Sequence, residues 1–304
     1  MTAPTQLTHR PARRPSAPER DRRRPRGGRS IGPSRRARTF TYIALVLALA
    51  ATLLPFLWML LASVKPEGEL LRDPNGWLPH SPTLSNYTTW LTSLGIGQFF
   101  LNSVIVALFT VLGNLLFCSM VGYALAKMDF RGKRVLFLLV MITLMVPGVV
   151  TFVPLFVMVA KLHMINTYSA LILPYLASPL GVFLMRQFIL GIPDSLIEAA
   201  KIDGAGQIRI FTRIVLPLCA PPLATLAILT FLGSWNNFLW PMVAAQSQNK
   251  YTLPVALALY SQGQDATNYG LLLAGSVLVI APVVALFMGL QRFFVHGIAT
   301  SGIK

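Results

Sequence analysis

The sequence predicts an all-α polytopic membrane protein with six transmembrane helices and both termini in the cytoplasm. Three observations carry this expectation. Of the 304 residues, 54% are hydrophobic and only 12% charged, with a mean hydropathy of +0.62; a soluble domain carries about 25% charged residues. Six apolar runs (41–64, 100–125, 135–160, 168–185, 214–240 and 269–291) contain no Asp, Glu, Lys or Arg, and about 20 such residues cross a bilayer. Alternating the runs across a membrane puts 22 of the 26 Lys and Arg on the side of both termini and 4 on the other. That asymmetry marks the cytoplasmic face.

The first segment, 1–39, carries twelve arginines against Glu19 and Asp21, which is +10 of the chain's +16. It has no aromatic side chain on which bases could stack, so nucleic acid is set aside. Its composition predicts a disordered cytoplasmic tail able to touch anionic lipid headgroups. Residues 40–64 form the predicted first transmembrane helix. Ser34-Arg35-Arg36 precedes it as in an export signal, but the run is longer than the about 7–15 residues of a signal core. An extracytoplasmic segment follows at 65–97, with Trp77, Tyr87 and Trp90 suited to an interfacial belt. Residues 98–292 supply five further helices, the 168–185 run being short, and 293–304 form a cytoplasmic tail.

Prolines punctuate the runs at 147, 154, 174, 179, 217, 221, 222 and 282. Each frees a carbonyl and is expected to kink its helix, either to shape packing or to surround a water-filled path. Gly122/Ala126 and Ala281/Ala285 have the small-residue spacing that lets helices approach closely.

Several chemistries are excluded. Cys118 and Cys219 lie within apolar runs, and His9, His80, His163 and His296 are scattered, so neither a disulfide framework nor a metal site is expected. Gly132-Lys133 lacks the glycine five positions earlier that a phosphate-binding loop needs, Lys127 standing there. Gly204-x-Gly206 has Arg209 where a dinucleotide fingerprint needs a third glycine. The chain is thus expected to bind no cofactor and to be no enzyme, any energy source residing on another chain. Carriers coupled to protons or sodium bury an ionisable group in the membrane, and these runs have none.

The most charged stretch of the second half is 193–217. Ser195 stands three residues before Glu198, the spacing of a capping box. Glu198 and Lys201 share a helix face, Ala199 and Ala200 favour helix, and Gly204 supplies a left-handed stop. Ile208, Phe211 and Ile214 then recur at helical spacing up to Pro217.

Glu198-Ala199-Ala200, Gly204 and Ile214-x-Leu216-Pro217, at those intervals, resemble the EAA loop of ABC importer permeases. The resemblance extends over roughly 80–304. It includes Pro82-Thr83-Leu84-Ser85-Asn86-Tyr87, Gly122-Tyr123-Ala124-Leu125-Ala126-Lys127, Trp235-Asn236-Asn237-Phe238 and Gln291-Arg292-Phe293-Phe294. These motifs are similar to the carbohydrate-uptake branch, in particular the maltose-type, MalG-like permeases. The resemblance implies the type I ABC importer permease fold and a transmembrane permease subunit of an ATP-driven sugar importer in the bacterial plasma membrane. It implies a second permease subunit, two ATPase subunits that use ATP and Mg, and an extracytoplasmic solute-binding protein. Glu198, Ala199, Ala200, Asp203, Gly204, Ile214, Leu216 and Pro217 would then couple the chain to the ATPase. The ending Gly302-Ile303-Lys304 departs from the family's pattern.

For the substrate path, sugars need planar hydrogen-bonding groups beside aromatic faces. Asn114, Trp235, Asn236, Asn237 and Phe238 offer these; the alternative reading is an interfacial aromatic belt whose amides bond neighbouring helices.

Overall fold

A computed structural model describes residues 35–262 and 267–301, with side chains described as far as residue 289. The residues form two units, one ending at Leu53 and the other starting at Leu54. The first contains the start of α1 (Arg35–Ser63), whose apolar side chains, among them Phe40 and Leu47, are exposed. Exposed leucine and phenylalanine suit lipid, which is as apolar as they are. The helix begins ahead of the expected boundary at residue 40, because Arg35, Arg36 and Arg38 are good helix formers without a stop signal. The predicted tail lies outside the described residues up to 34.

In the second unit, short pieces come first: α2 (Glu67–Arg72), α3 (Ser85–Thr88) and a π turn at Thr89–Ser93. The unbroken α4 (Ile96–Lys127) follows. Next are α5 (Lys133–Met145), α6 (Gly148–Lys161), α7 (Tyr168–Ile172) and α8 (Pro179–Leu190). The 193–217 region holds α9 (Asp194–Ile202), α10 (Gln207–Ile210), a π turn at Phe211–Val215 and the start of α11 (Leu216–Leu218). The chain ends with α12 (Ala220–Trp235), α13 (Leu239–Ala244), α14 (Leu253–Tyr260) and α15 (Tyr269–Ser301). Among the described residues no strand forms beyond one isolated bridge, Gln262 to Thr267.

Three helices are long and apolar enough to cross a membrane unbroken: α1, α4 and α15 over Tyr269–Gly289. Three further candidates are bent pairs, Lys133–Met145 with Gly148–Lys161 at 105°, Tyr168–Tyr175 with Pro179–Leu190 at 40°, and Gln207–Leu218 with Ala220–Trp235 at 79°. The prolines explain the breaks, but not by interior kinking as expected. Pro147 is the N-cap of α6, and Pro179, Pro217 and Pro221 fall in the first turns of α8, α11 and α12. A helix start needs no amide donor there, so the chain turns before Pro147, Pro179 and Pro221 and restarts there, whereas Pro217 lies within the continuous stretch Gln207–Leu218, just ahead of its bend. Pro154 and Pro282 do lie inside helices. The last helix also continues through the expected tail boundary at 293 to Ser301, since no proline interrupts it.

The second unit has its core on α4. Close approach to α8 requires Gly122, where a Cβ would meet the Met185 Cβ at 2.9 Å and the Arg186 amide nitrogen at 3.0 Å. The partner small residue Ala126 is buried too, whereas Ala281 and Ala285 are exposed. One buried cluster joins the end of α4 to α8, α9 and the second π turn; another joins the start of α4 to Trp90, Trp235, α14 and α15.

Candidate functional site

Helix α9 starts at Pro193, an N-cap whose backbone is extended (ψ 132°) and which makes no side-chain cap bond. The expected capping box from Ser195 to Glu198 is therefore not formed. Proline fixes the helical φ at the chain's entrance, so the helix starts one residue before Ser195 and puts it inside the first turn. Asp194 opens the helix, and its carboxylate bonds the Lys127 ammonium at 2.6 Å. That bond holds the Asp194 carboxyl below its ordinary range.

The helix ends as the sequence predicts. Gly204 adopts φ +78°, which residues with a Cβ adopt at a cost of about 1–2 kcal/mol. Its amide donates to Lys201 O at 3.0 Å, and Ala205 N donates to Ala200 O at 2.9 Å, the paired bonds of a Schellman stop.

These ends fix which side chains face out. Ile197 and Ala200 are buried among α4, α8 and α12 residues, while Glu198, Ala199, Ile202 and Asp203 are exposed. Among the described residues no salt bridge engages Glu198, Lys201 included. The loop residues expected to act together thus divide: Ala200, Ile214 and Leu216 pack against the buried cluster, and Pro217 is exposed at the start of α11.

The expected periodicity after Gly206 is also corrected. Ile210, Phe211 and Val215 are buried, Ile214 is half-buried, and Ile208 is 81% exposed. The π turn over Phe211–Val215 adds a residue to the turn, so the buried face advances by one from the three-residue spacing. Ile202, 86% exposed, and Ile208 are apolar residues on the polar side of the loop. Sequence reasoning passed over Ile202, although it is one turn beyond Glu198 on that face. An open concavity of about 660 Å³ adjoins Ile208, lined also by Gln207, Arg209, Thr212 and Arg213.

Of the residues expected on a substrate path, Asn114 is buried and donates to the Tyr175 and Thr110 carbonyls. Trp235 is buried, donates from Nε1 to Val279 O at 3.0 Å and stacks on Phe231. Asn236 is exposed and donates to Leu232 O at 3.0 Å; Asn237 and Phe238 are half-buried, and Asn237 accepts from Trp240 N at 3.4 Å. The structure does not bring Asn114 together with the 235–238 group on one open surface.

Residues 115–300 match the family described as "Binding-protein-dependent transport system inner membrane component". The chain belongs to that family. This membership makes it an inner-membrane component of ABC transport systems. Among its relatives are the arabinooligosaccharides transport system permease protein AraQ of Halalkalibacterium halodurans, 44% identical over 87% of this chain and 94% of that protein. The diacetylchitobiose uptake system permease protein NgcG of Streptomyces coelicolor is 35% identical over 85% and 86%. The sn-glycerol-3-phosphate transport system permease protein UgpE of Salmonella typhi is 33% identical over 86% and 96%. The fold is shared with a chain in a crystal structure of a bacterial ABC transporter involved in import of the acidic polysaccharide alginate. The TM-score is 0.75 at 24% identity, over 86% of this chain and 98% of that one.

Proposed function

We propose that this permease-family chain is one membrane-spanning subunit of an ATP-driven carbohydrate importer, with α9 as the helix that docks into an ATPase subunit. The observation that carries the reading is the outward face of α9. Glu198 is an exposed carboxylate without a salt bridge among the described residues, Ala199 leaves room beside it, Ile202 offers an apolar contact, and Gly204 ends the helix abruptly. Ala200, Ile214 and Leu216 serve the same coupling from the inside, tying the docked helix to α4, α8 and α12.

In this reading the three unbroken helices and three bent pairs are six spans, with both termini and the α9 loop in the cytoplasm of the bacterial cell. A second permease subunit completes the path, two ATPase subunits use ATP and Mg, and an extracytoplasmic binding protein delivers the sugar. The chain itself performs no hydrolysis. Asn236, Asn237 and Phe238 keep surface toward the path, whereas Asn114 and Trp235 hold the walls. The 44% identity to an arabinooligosaccharide permease makes such oligosaccharides the first substrates to test.

The test is uptake by the assembled importer. Glu198→Lys and Gly204→Asp are expected to leave the chain inserted while ATP-dependent uptake falls on the order of tenfold or more, a loss typical of broken site-to-site coupling. Normal uptake by a well-assembled Gly204→Asp importer overturns the assignment.

A further inference from the structure

At the end of α4, two side chains one turn apart grip the chain on either side of α9. Lys127, with a side chain only 5% exposed, donates from Nζ to Ile192 O at 2.6 Å and to Asp194 Oδ1 at 2.6 Å, just where α9 begins. A lysine removed from water is costly unless its donors are used, and here two of three are spent on the loop's entrance. Four residues earlier, the Tyr123 hydroxyl donates to Gln207 Oε1 at 2.7 Å, where the chain leaves Gly206, and the Tyr123 ring packs on Phe211 at 5.4 Å. Positions four apart share one helix face, so the chain entering α9 and the chain leaving it meet the same face of the same turn.

That turn is itself braced. Arg186 donates from Nε to Leu125 O at 3.3 Å while lying 3.8 Å over the Phe137 ring, and Lys133 donates to Ala126 O at 3.3 Å. Cations on the last carbonyls also favour the helix dipole. From there α4 runs 32 residues without a break, about 48 Å at 1.5 Å per residue. Its far end is fastened by Asn102, which donates to Asn249 O at 3.0 Å and Tyr251 O at 2.8 Å, and by Phe99 stacked on Tyr260. The neighbouring spans, by contrast, are bent by 40–105° at their breaks. A displacement of the loop passes along a continuous hydrogen-bonded helix and dissipates at a break.

We infer that α4 is the rod that carries movement of the α9 loop to the opposite end of the bundle, with Lys127 and Tyr123 as the positioning residues that grip it. The inference rests on the importer reading above. Lys127 acts through the loop and touches neither solute nor nucleotide.

The experiment uses the whole importer in proteoliposomes, with two reporters introduced separately. Lys201→Cys, at an exposed position of α9 outside the named docking contacts, reports cross-linking of the loop to the ATPase subunit. Gly97→Cys reports maleimide labelling at the far end of α4, where the backbone is exposed with open space for a side chain; the native Cys118 and Cys219 are buried. Labelling is compared with and without vanadate-trapped ATP. With Lys127 present, trapping is expected to change the labelling rate. In Lys127→Met that response falls on the order of tenfold while the cross-link persists, and Lys127→Arg restores it. Asp194→Asn, whose parent side chain is 74% exposed, gives a smaller loss in the same direction even where Lys127→Met fails to assemble. An unchanged labelling response in both variants with the cross-link intact overturns the rod and leaves the docking assignment standing. Absence of the cross-link with Lys127 and Asp194 intact overturns the docking assignment, and the rod with it.

Discussion

Two polar connections of the second unit, 65–95 and 191–219, hold themselves together in opposite ways. In the first, Lys65, Glu67 and Glu69 are turned inward, while Arg72 and Asp73 stay exposed. Lys65 is buried and donates to Gly76 O at 2.7 Å, and Glu69 accepts from the His80 amide at 2.9 Å. The Glu67 carboxylate accepts from Tyr269 N at 3.1 Å and Gly270 N at 2.7 Å. The buried Trp90 donates to Leu271 O at 2.9 Å. Every one of these bonds lies within the segment or ties it to the start of α15. In the second connection the buried groups are apolar, and the charges of α9 face outward apart from Asp194, which reaches Lys127. The first is thereby fastened along its length, whereas the second is gripped on either side of α9 and presents that helix's outer face. Such a division suits one segment to being a fixed frame and the other to being moved by a partner.

The comparison can be broken most sharply at Trp90. Trp90→Ala removes a fully buried indole, its hydrogen bond and the filling beside Gly275. It is expected to cost about 3–5 kcal/mol, read as a fall in the unfolding midpoint of the detergent-solubilised chain. A wild-type midpoint would show that 65–95 is no frame. Next in size is Glu67→Ala, which takes two acceptors from the first turn of α15. The loss is about 1 kcal/mol, as for other helix caps, and faster amide exchange at 269–271 is the local signature.

A third test uses acid. The Glu69 carboxyl is held below its ordinary value of 4.5, chiefly by the His80 amide bond, with further bonds from the His80 ring and Ser81 amide and attraction from Lys65. A group with a depressed folded pKa stabilises above its unfolded value and loses that contribution as pH falls through the folded one. Proteolysis near 73–82 is therefore expected to accelerate below about pH 4.5, and Glu69→Gln to abolish the pH dependence. The smallest structural effect is expected at Ile202. Ile202→Ser alters a side chain 86% exposed, so the chain's own stability shifts by no more than about 0.5 kcal/mol. Its binding to the ATPase subunit weakens nonetheless, measured as cross-linking yield in membranes. A large drop in stability would mean that this face is already covered within the chain.

The sequence made much of this legible where local chemistry decides. Charge-free runs of sufficient length mark helices in lipid, and a residue without a Cβ adopts at no steric cost the φ of +78° that ends α9 at Gly204. The motif at 198–217 located the loop. It did not reveal its facing, because which side of α9 is buried depends on α4 and α8 packing beside it. Ala199 and Ala200 are the same residue type in the same helix, yet one is exposed and the other buried. Trp235 and Asn236 differ likewise, one walled in by Val279 and Phe231, the other exposed.

By itself, then, the sequence determined the helical class, the apolar runs, the family and the abrupt end of α9, since each follows from composition, spacing or a single backbone angle. Tertiary structure decided that Pro147 and Pro221 start helices instead of kinking them. It decided that the π turn at Phe211–Val215 moves the buried face, and that Lys127 reaches Ile192 and Asp194. The physical reason is the same in each case. Burial and hydrogen bonding between residues some 65 positions apart, as between Lys127 and Ile192, depend on how helices pack, and no local window of the chain contains that information.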